Sequence, residues 1–135
     1  ATWSPNAITY GGNNRTHMVR VPDRGRFELR LMDGAANPYL LQAGILMAGL
    51  DGIDNQRDPG EPSTINMYTE GHKLKNVRRL PSNLLDAIRL FEKSKILRAG
   101  LGDELVSSYA KLKHAEWRSY TAAISSWESE HTLDC

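Results

Sequence analysis

The residues best suited to chemistry lie close together on one short, charged segment. They are four arginines and one glutamate: Arg15, Arg20, Arg26, Glu28 and Arg30. Arginine presents a planar, permanently charged group whose donors fit carboxylates and phosphates. A single glutamate among arginines is suited to a divalent cation that accompanies phosphate. The segment therefore suits an anionic substrate together with a metal–nucleotide complex.

Polar and apolar residues alternate strictly through residues 26–31, which is typical of a strand with one buried face. The alternation places Arg26, Glu28 and Arg30 on the same face, where they can share one cavity. A hairpin is predicted, with strands at residues 16–21 and 26–32 and a turn at residues 22–25. Gly25 suits the positive φ of such a turn. An alternative stays open, because alternating charges are also typical of the solvated face of a hairpin.

The bulk composition limits the possible classes of function. The chain has 135 residues, the length of one ordinary domain, and its 17 basic and 16 acidic residues nearly balance. This balance argues against nucleic acid or an acidic membrane as the partner. The single cysteine, Cys135, cannot form an intrachain disulfide, and with no signal-peptide pattern we expect a cytoplasmic location. The four histidines lack the close spacing of metal ligands.

A helix is predicted over residues 38–53, with Asn37 as N-cap and Pro38 in the first turn. It is apolar nearly all the way round, so we expect it to be buried on most sides. The remaining chain offers little to cover it, and we expect it to lie inside something larger.

Two amphipathic helices are predicted in the second half of the chain. The first follows Ser82 as N-cap and carries the apolar stripe of Leu84, Ile88 and Phe91. The second is long, at about residues 104–128, with Asp103 as a possible cap. The fold class predicted is α+β: an antiparallel hairpin, part of a larger sheet, packed on a buried helix and backed by two more helices.

Several short motifs occur in an order and spacing that are highly specific together, although each is weak alone. They are Asn14-Arg15-Thr16, Val19-Arg20-Val21-Pro22, Arg26-Phe27-Glu28-Leu29-Arg30, Asp33 with Asn37-Pro38-Tyr39, Ala48-Gly49-Leu50-Asp51-Gly52-Ile53, Asp58-Pro59-Gly60, Leu97-Arg98-Ala99-Gly100-Leu101-Gly102 and Ala115-Glu116-Trp117. From about residue 10 to residue 127, the chain resembles the C-terminal part of the catalytic domain of the glutamine synthetase family.

The resemblance implies an ATP-dependent ligase. Family members join glutamate to ammonia or an amine through a γ-glutamyl phosphate, with Mg²⁺ or Mn²⁺, and assemble into rings with each site at a subunit boundary. The implied partners are therefore glutamate, ammonia or a small amine, and further copies of the chain, without nucleic acid or membrane. Members are several times longer and carry most catalytic carboxylates upstream, so we expect the isolated chain to be inactive.

The resemblance also implies a role for each candidate residue. Arg15 resembles the arginine that contacts the substrate and the transferring phosphoryl group, and Arg20 the one that neutralises nucleotide phosphates. Arg26 resembles a nucleotide contact, and Glu28 a divalent metal ligand. Arg30 resembles the arginine that grips the amino-acid carboxylate or the phosphoryl group.

Some positions depart from the family pattern. Leu31-Met32-Asp33-Gly34 stands where many members have a proline-containing segment, and Thr16-His17-Met18 replaces small residues. The ending resembles a divergent branch, such as the type III-like or γ-glutamylmethylamide synthetase enzymes. Ammonia, methylamine and larger amines all stay open as acceptors.

Two other classes of function are alternatives. One is a non-catalytic scaffold or interaction module, which would have no need to retain Arg15, Arg20, Glu28 and Arg30 together. The other is a free-standing domain that binds anions or nucleic acid. Near-neutral charge and the lack of an aromatic ladder beside the arginines argue against it.

Overall fold

The computed structural model describes residues 4–132, and the chain divides into two compact units. The first unit extends to Ser82 and the second begins at Asn83. Among the described residues, none of the helices combines the length and apolar character that crossing a bilayer requires. All five candidate site residues belong to the first unit.

The first unit contains a small sheet of three strands in the order β1 (Tyr10–Gly11), β2 (Val19–Asp23) and β3 (Arg26–Leu29). The β2–β3 pair is the predicted antiparallel hairpin, and its turn contains Gly25 at φ +78°. Strand β1 pairs in parallel with β2 and was not predicted, because two residues within a glycine-rich segment give no periodic signal.

Strand β2 begins three residues later than predicted, because the preceding residues bind another segment of the chain. Thr16 and His17 are buried, and the hydroxyl oxygen of Thr16 accepts a hydrogen bond from the backbone N–H of Met67 at 2.9 Å. Asn14 donates through its side chain to the carbonyl of Ile65, also at 2.9 Å. Side-chain hydrogen bonds of this kind compete with strand pairing, so β2 begins only after these residues.

Helix α1 spans Pro38–Asp54 and begins as predicted. The side-chain oxygen of Asn37 accepts hydrogen bonds from the backbone N–H groups of Tyr39 and Leu40, at 3.0 and 3.1 Å. Within the described residues no side chain of α1 is buried, and Tyr39 and Ile53 are 82% and 74% exposed. This agrees with the expectation that the chain itself offers little to cover the helix, and burial of α1 inside something larger stays a prediction.

The other helical segments of the first unit are short. Helix α2 (Met67–Glu70) leads directly into a 3₁₀ turn at Gly71–Lys73. Met67 is buried, so the chain after α1 returns to the residues that precede β2.

The second unit consists of helices α3 (Leu84–Lys93), α4 (Lys95–Leu101), α5 (Asp103–Ala122) and α6 (Ser126–Thr132). Its core contains Ile88 from α3 with Val106 and Ala110 from α5, all buried. The rings of Phe91 and Tyr109 meet edge to face, with centroids 5.6 Å apart. The predicted apolar stripe of α3 therefore faces α5.

The boundaries of these helices differ from the predicted ones because of local capping. Asn83, rather than Ser82, caps α3 by accepting from the backbone N–H of Asp86 at 2.9 Å. Ser94 then separates α3 from α4 and caps α4. Asp103 is the first residue of α5 and forms an ion pair with Arg98 at 2.8 Å, whereas Gly102 at φ +87° is the cap residue. Helix α5 ends at Ala122.

We predict that Gly11→Ala destabilises the first unit. A Cβ at Gly11 would overlap the carbonyl oxygen of Ser63 and lie 2.6 Å from the imidazole ring of His17. Because one of the clashing atoms belongs to the backbone, the expected loss is about 1–3 kcal/mol of unfolding free energy. Urea unfolding measures it, with Gly12→Ala as the matched control, since a Cβ there meets no atom within 4 Å. Equal midpoints for the two variants would contradict the prediction.

Candidate anion-binding site

The site is centred on Glu28, whose carboxylate lies between two guanidinium groups. Residues Arg20 and Glu28 face each other across the β2–β3 pair. The Nη1 group of Arg20 donates to one carboxylate oxygen at 2.7 Å, and the Nε group of Arg30 donates to the other at 3.1 Å. Two strands and the residue after them therefore bring three of the five candidate residues into direct contact.

The electrostatics of this cluster keep Glu28 ionised. The hydrogen bond from Arg20 lowers the pKa of Glu28 most, burial opposes it, and the positive charges of Arg20 and Arg30 with the hydrogen bond from Arg30 lower the pKa further. The two arginine side chains are only 14% and 15% exposed, whereas the Glu28 side chain is 45% exposed. The carboxylate thus stays accessible while the guanidinium groups are held in place.

Arg20 has a second partner that the sequence analysis missed. Its Nε and Nη2 groups both donate to the side-chain oxygen of Asn13, at 2.9 and 2.5 Å. Asn13 and Glu28 thus hold the guanidinium from two sides. An asparagine in a Gly-Gly-Asn-Asn loop reads as a turn residue, so no sequence signal marked this contact.

Arg15 joins the cluster through its backbone. The Nη1 group of Arg30 donates to the backbone carbonyl of Arg15. The side chain of Arg15 is exposed. Arg30 is therefore anchored at one side by Glu28 and at the other by the main chain of the loop before β2.

The structure does not join Arg26 to the other four residues. Its guanidinium lies 3.4 Å from the carboxylate of Asp23, and both side chains are largely exposed. The pairing register shifts between Arg20 and Asp23, so Asp23, next to the turn, lies opposite Arg26. Strict alternation along β3 therefore did not bring Arg26 into contact with Glu28, and its role as a nucleotide contact stays a prediction.

Glu28 is the candidate ligand for a divalent cation at this site. Among residues 4–132, no group of three or more His, Cys, Asp or Glu side chains is arranged to hold a metal ion. Mg²⁺, however, commonly takes one or two protein carboxylates and completes its shell with water and substrate phosphates. An ionised, accessible Glu28 fits one such position, provided that other ligands complete the shell.

A fixed carboxylate between guanidinium groups on a hairpin is the kind of site that binds phosphates and the metal ions that accompany them. The comparisons with known proteins place the chain in a family. The model of the glutamine synthetase catalytic domain matches residues 1–132. The chain belongs to the glutamine synthetase family.

Individual relatives agree with this assignment. A glutamine synthetase of Rhizobium leguminosarum is 60% identical over 134 residues, which are 99% of this chain and 31% of that protein. A glutamate–methylamine ligase of Methyloversatilis universalis is 42% identical over 137 residues, 99% of this chain and 30% of that protein. A solved GmaS/ADP complex matches with a TM-score of 0.93 and 59% identity, over 98% of this chain and 30% of the other. The chain thus spans about a third of the length of these relatives.

We predict that Glu28→Gln leaves the stability of the fold unchanged. The Glu28 side chain is 45% exposed, so water and salt screen its ion pairs with the less exposed Arg20 and Arg30, and the glutamine oxygen still accepts a hydrogen bond from one of them. Its urea midpoint should agree with that of the unsubstituted chain within the scatter of replicate curves. A clearly lower midpoint would show that the carboxylate is required for folding, and functional losses in this variant would then need another explanation.

Proposed function

We propose that this chain is the C-terminal portion of the catalytic domain of an ATP-dependent ligase that joins glutamate to ammonia or a small amine through γ-glutamyl phosphate. The observation that carries the proposal is the contact of Glu28 with both Arg20 and Arg30 in a chain of this family. A purely structural derivative of the fold has no need for a fixed cationic pair around an accessible carboxylate.

The geometry suits phosphoryl transfer because that reaction is catalysed mainly by positioning and by stabilising charge. In the proposed roles, Arg20 neutralises nucleotide phosphates and Arg30 grips the glutamate carboxylate or the phosphoryl group. Arg15 contacts the substrate and the phosphoryl group, and Arg26 contacts the nucleotide. Glu28 is one ligand of Mg²⁺ or Mn²⁺, which when bound withdraws charge from the phosphate oxygens.

The rigid placement of the two partners of Glu28 supports these roles. Asn13 and Glu28 fix the Arg20 guanidinium before any ligand arrives, and the Arg15 carbonyl and Glu28 do the same for Arg30. Charged groups that are already oriented need not reorganise when charge develops on the substrate. The cluster therefore supplies positive charge at a fixed position beside a metal ligand.

The remaining requirements of the reaction belong to the complete enzyme, since the chain spans about a third of its relatives. We propose a cytoplasmic homo-oligomer in which other parts of the protein supply the further metal ligands. The exposed apolar surface of α1 supports burial against more protein, because large exposed apolar patches mark interaction surfaces.

The role of the cluster is tested by Glu28→Gln and Arg30→Lys in the full-length enzyme. Each should lower amide formation and ADP release by about 100-fold or more, the usual effect of removing one charge-stabilising group. Arg30→Lys keeps the charge but loses the planar fork that contacts two oxygens at once. Coupled ADP release and direct detection of the amide product measure the effect.

Matched surface substitutions, Glu61→Gln and Arg118→Lys, control for changes of charge and shape at exposed positions. Both should retain wild-type rates. Wild-type turnover in Glu28→Gln and Arg30→Lys would end the assignment and favour the non-catalytic scaffold.

The acceptor is identified by supplying glutamate and MgATP with ammonia, methylamine or a larger primary amine at equal concentration. The relatives named above include both a glutamine synthetase and a methylamine ligase, so the family assignment leaves both acceptors eligible. Mass spectrometry of the product distinguishes glutamine from an N-alkyl glutamine. We expect one of them to accumulate with equimolar ADP, and ADP release without any amide would contradict ligase activity.

A further inference from the structure

A buried histidine follows Arg15 by two residues, close to the candidate site in the chain. His17 is fully buried, and its Nδ1 lies 3.0 Å from the hydroxyl of Thr9 while its Nε2 lies 3.2 Å from the side-chain nitrogen of Asn14. An amide nitrogen only donates hydrogen bonds, so Nε2 must accept this one. The ring is then neutral, with its proton on Nδ1 directed at the Thr9 hydroxyl.

Asn14 connects this ring to the loop that carries Arg15. Its side-chain nitrogen also donates to the carbonyl of Ile65 at 2.9 Å. Its side-chain oxygen accepts from the backbone N–H and the hydroxyl of Thr16, at 2.9 and 2.8 Å. Both residues that flank Arg15 are therefore fixed, and the Arg15 carbonyl between them accepts the hydrogen bond from Arg30.

We propose that Asn14 and neutral His17 are positioning residues that set the Arg15 loop, and through it Arg30, for substrate binding. The chemistry that they serve rests on the proposed function. Neither residue touches the substrate in this proposal. They act by fixing the backbone of Arg15. Its carbonyl anchors Arg30, and its position sets that of the Arg15 side chain.

The arrangement functions only while His17 is neutral. A proton on Nε2 would point at the amino group of Asn14, so two donors would face each other and the contact would break. The ring is fully buried and packs close to the backbone of Gly11, since a Cβ placed there would lie 2.6 Å from it. We therefore expect protonation of His17 to displace the Asn14 side chain.

The surroundings of His17 favour the neutral form. The ring faces the Thr9 hydroxyl, the Asn14 amide and the backbone carbonyls of Ser63 and Ile65, none of which carries a charge. Burial lowers the pKa of His17 from its usual 6.5, and the two carbonyls oppose that effect only in part. The network is thus intact above pH 6.5 and is lost as the pH falls through the lowered pKa of the folded protein.

Two substitutions in the full-length enzyme test this proposal. His17→Gln offers an oxygen that can accept from Asn14 but has no group that titrates near neutral pH. Asn14→Asp keeps size and shape, yet its carboxylate cannot donate to Ile65 and it stabilises a protonated His17. The exposed His72→Gln is the matched control. The measurements are kcat and KM for glutamate between about pH 5.5 and 8.5.

We expect the unsubstituted enzyme and His72→Gln to lose kcat/KM on the acid side with a one-proton slope. The slope should disappear in His17→Gln. In Asn14→Asp it should be lost or reversed, because imidazolium donates to the carboxylate at position 14 and so restores the contact that protonation breaks in the unsubstituted enzyme. Asn14→Asp should also raise KM for glutamate by about tenfold at pH 8, the effect of one lost buried hydrogen bond. A residue that merely supported the fold would leave the pH profile unmoved.

Identical acid limbs in the unsubstituted enzyme and His17→Gln would overturn the proposal, as would an unchanged KM in Asn14→Asp. Should His17→Gln fail to fold, the isosteric Asn14→Asp variant decides the question, since an acid loss identical to that of the unsubstituted enzyme would overturn the proposal. An unsubstituted enzyme that forms no amide at any pH would refute the proposed function alone. Calorimetric binding of inorganic phosphate with MgADP to the same variants would then test the positioning role, and pH-independent binding in all of them would overturn it.

Discussion

The contact between Glu28 and Arg20 across the β2–β3 hairpin is the interaction on which the candidate site depends. It fixes the position of the carboxylate, keeps it ionised, and orients a guanidinium whose other edge is held by Asn13. Arg30, the first residue after β3, completes the group and donates a second hydrogen bond to the backbone carbonyl of Arg15. A carboxylate that is hydrogen-bonded to two guanidinium groups has a fixed orientation. A metal–phosphate complex requires a protein ligand whose orientation is fixed in this way.

The hairpin can hold these groups because the loop before it is bound to another part of the first unit. The residues just ahead of β2 do not extend the strand but form side-chain hydrogen bonds to the backbone of Ile65 and Met67. Gly11 allows the Ser63 carbonyl and the imidazole of His17 to approach its backbone closely. The exposed cluster is thus connected through the loop before β2 to a small buried region that side-chain hydrogen bonds hold together.

Patterns in the sequence predicted the hairpin, the glycine turn, the Asn37 cap and the apolar stripe of α3, because each depends on residues that are close in the chain. The motifs also predicted the family, and the alternation along β3 placed Glu28 beside Arg30. What the sequence could not give depends on contacts between distant residues or on local irregularity. The pairing of Arg26 with Asp23 follows from a shift of register, and the late start of β2 follows from hydrogen bonds to Ile65 and Met67.

Arg30 is anchored on Arg15 through a main-chain oxygen, and this affects how mutation can change the site. Replacing the Arg15 side chain leaves its backbone carbonyl in place, so Arg30 keeps this hydrogen bond whatever residue occupies position 15. The two positions are therefore mechanically independent even though they touch. A mutation can thus change the side chain presented at position 15 while the hydrogen bond that anchors Arg30 is retained.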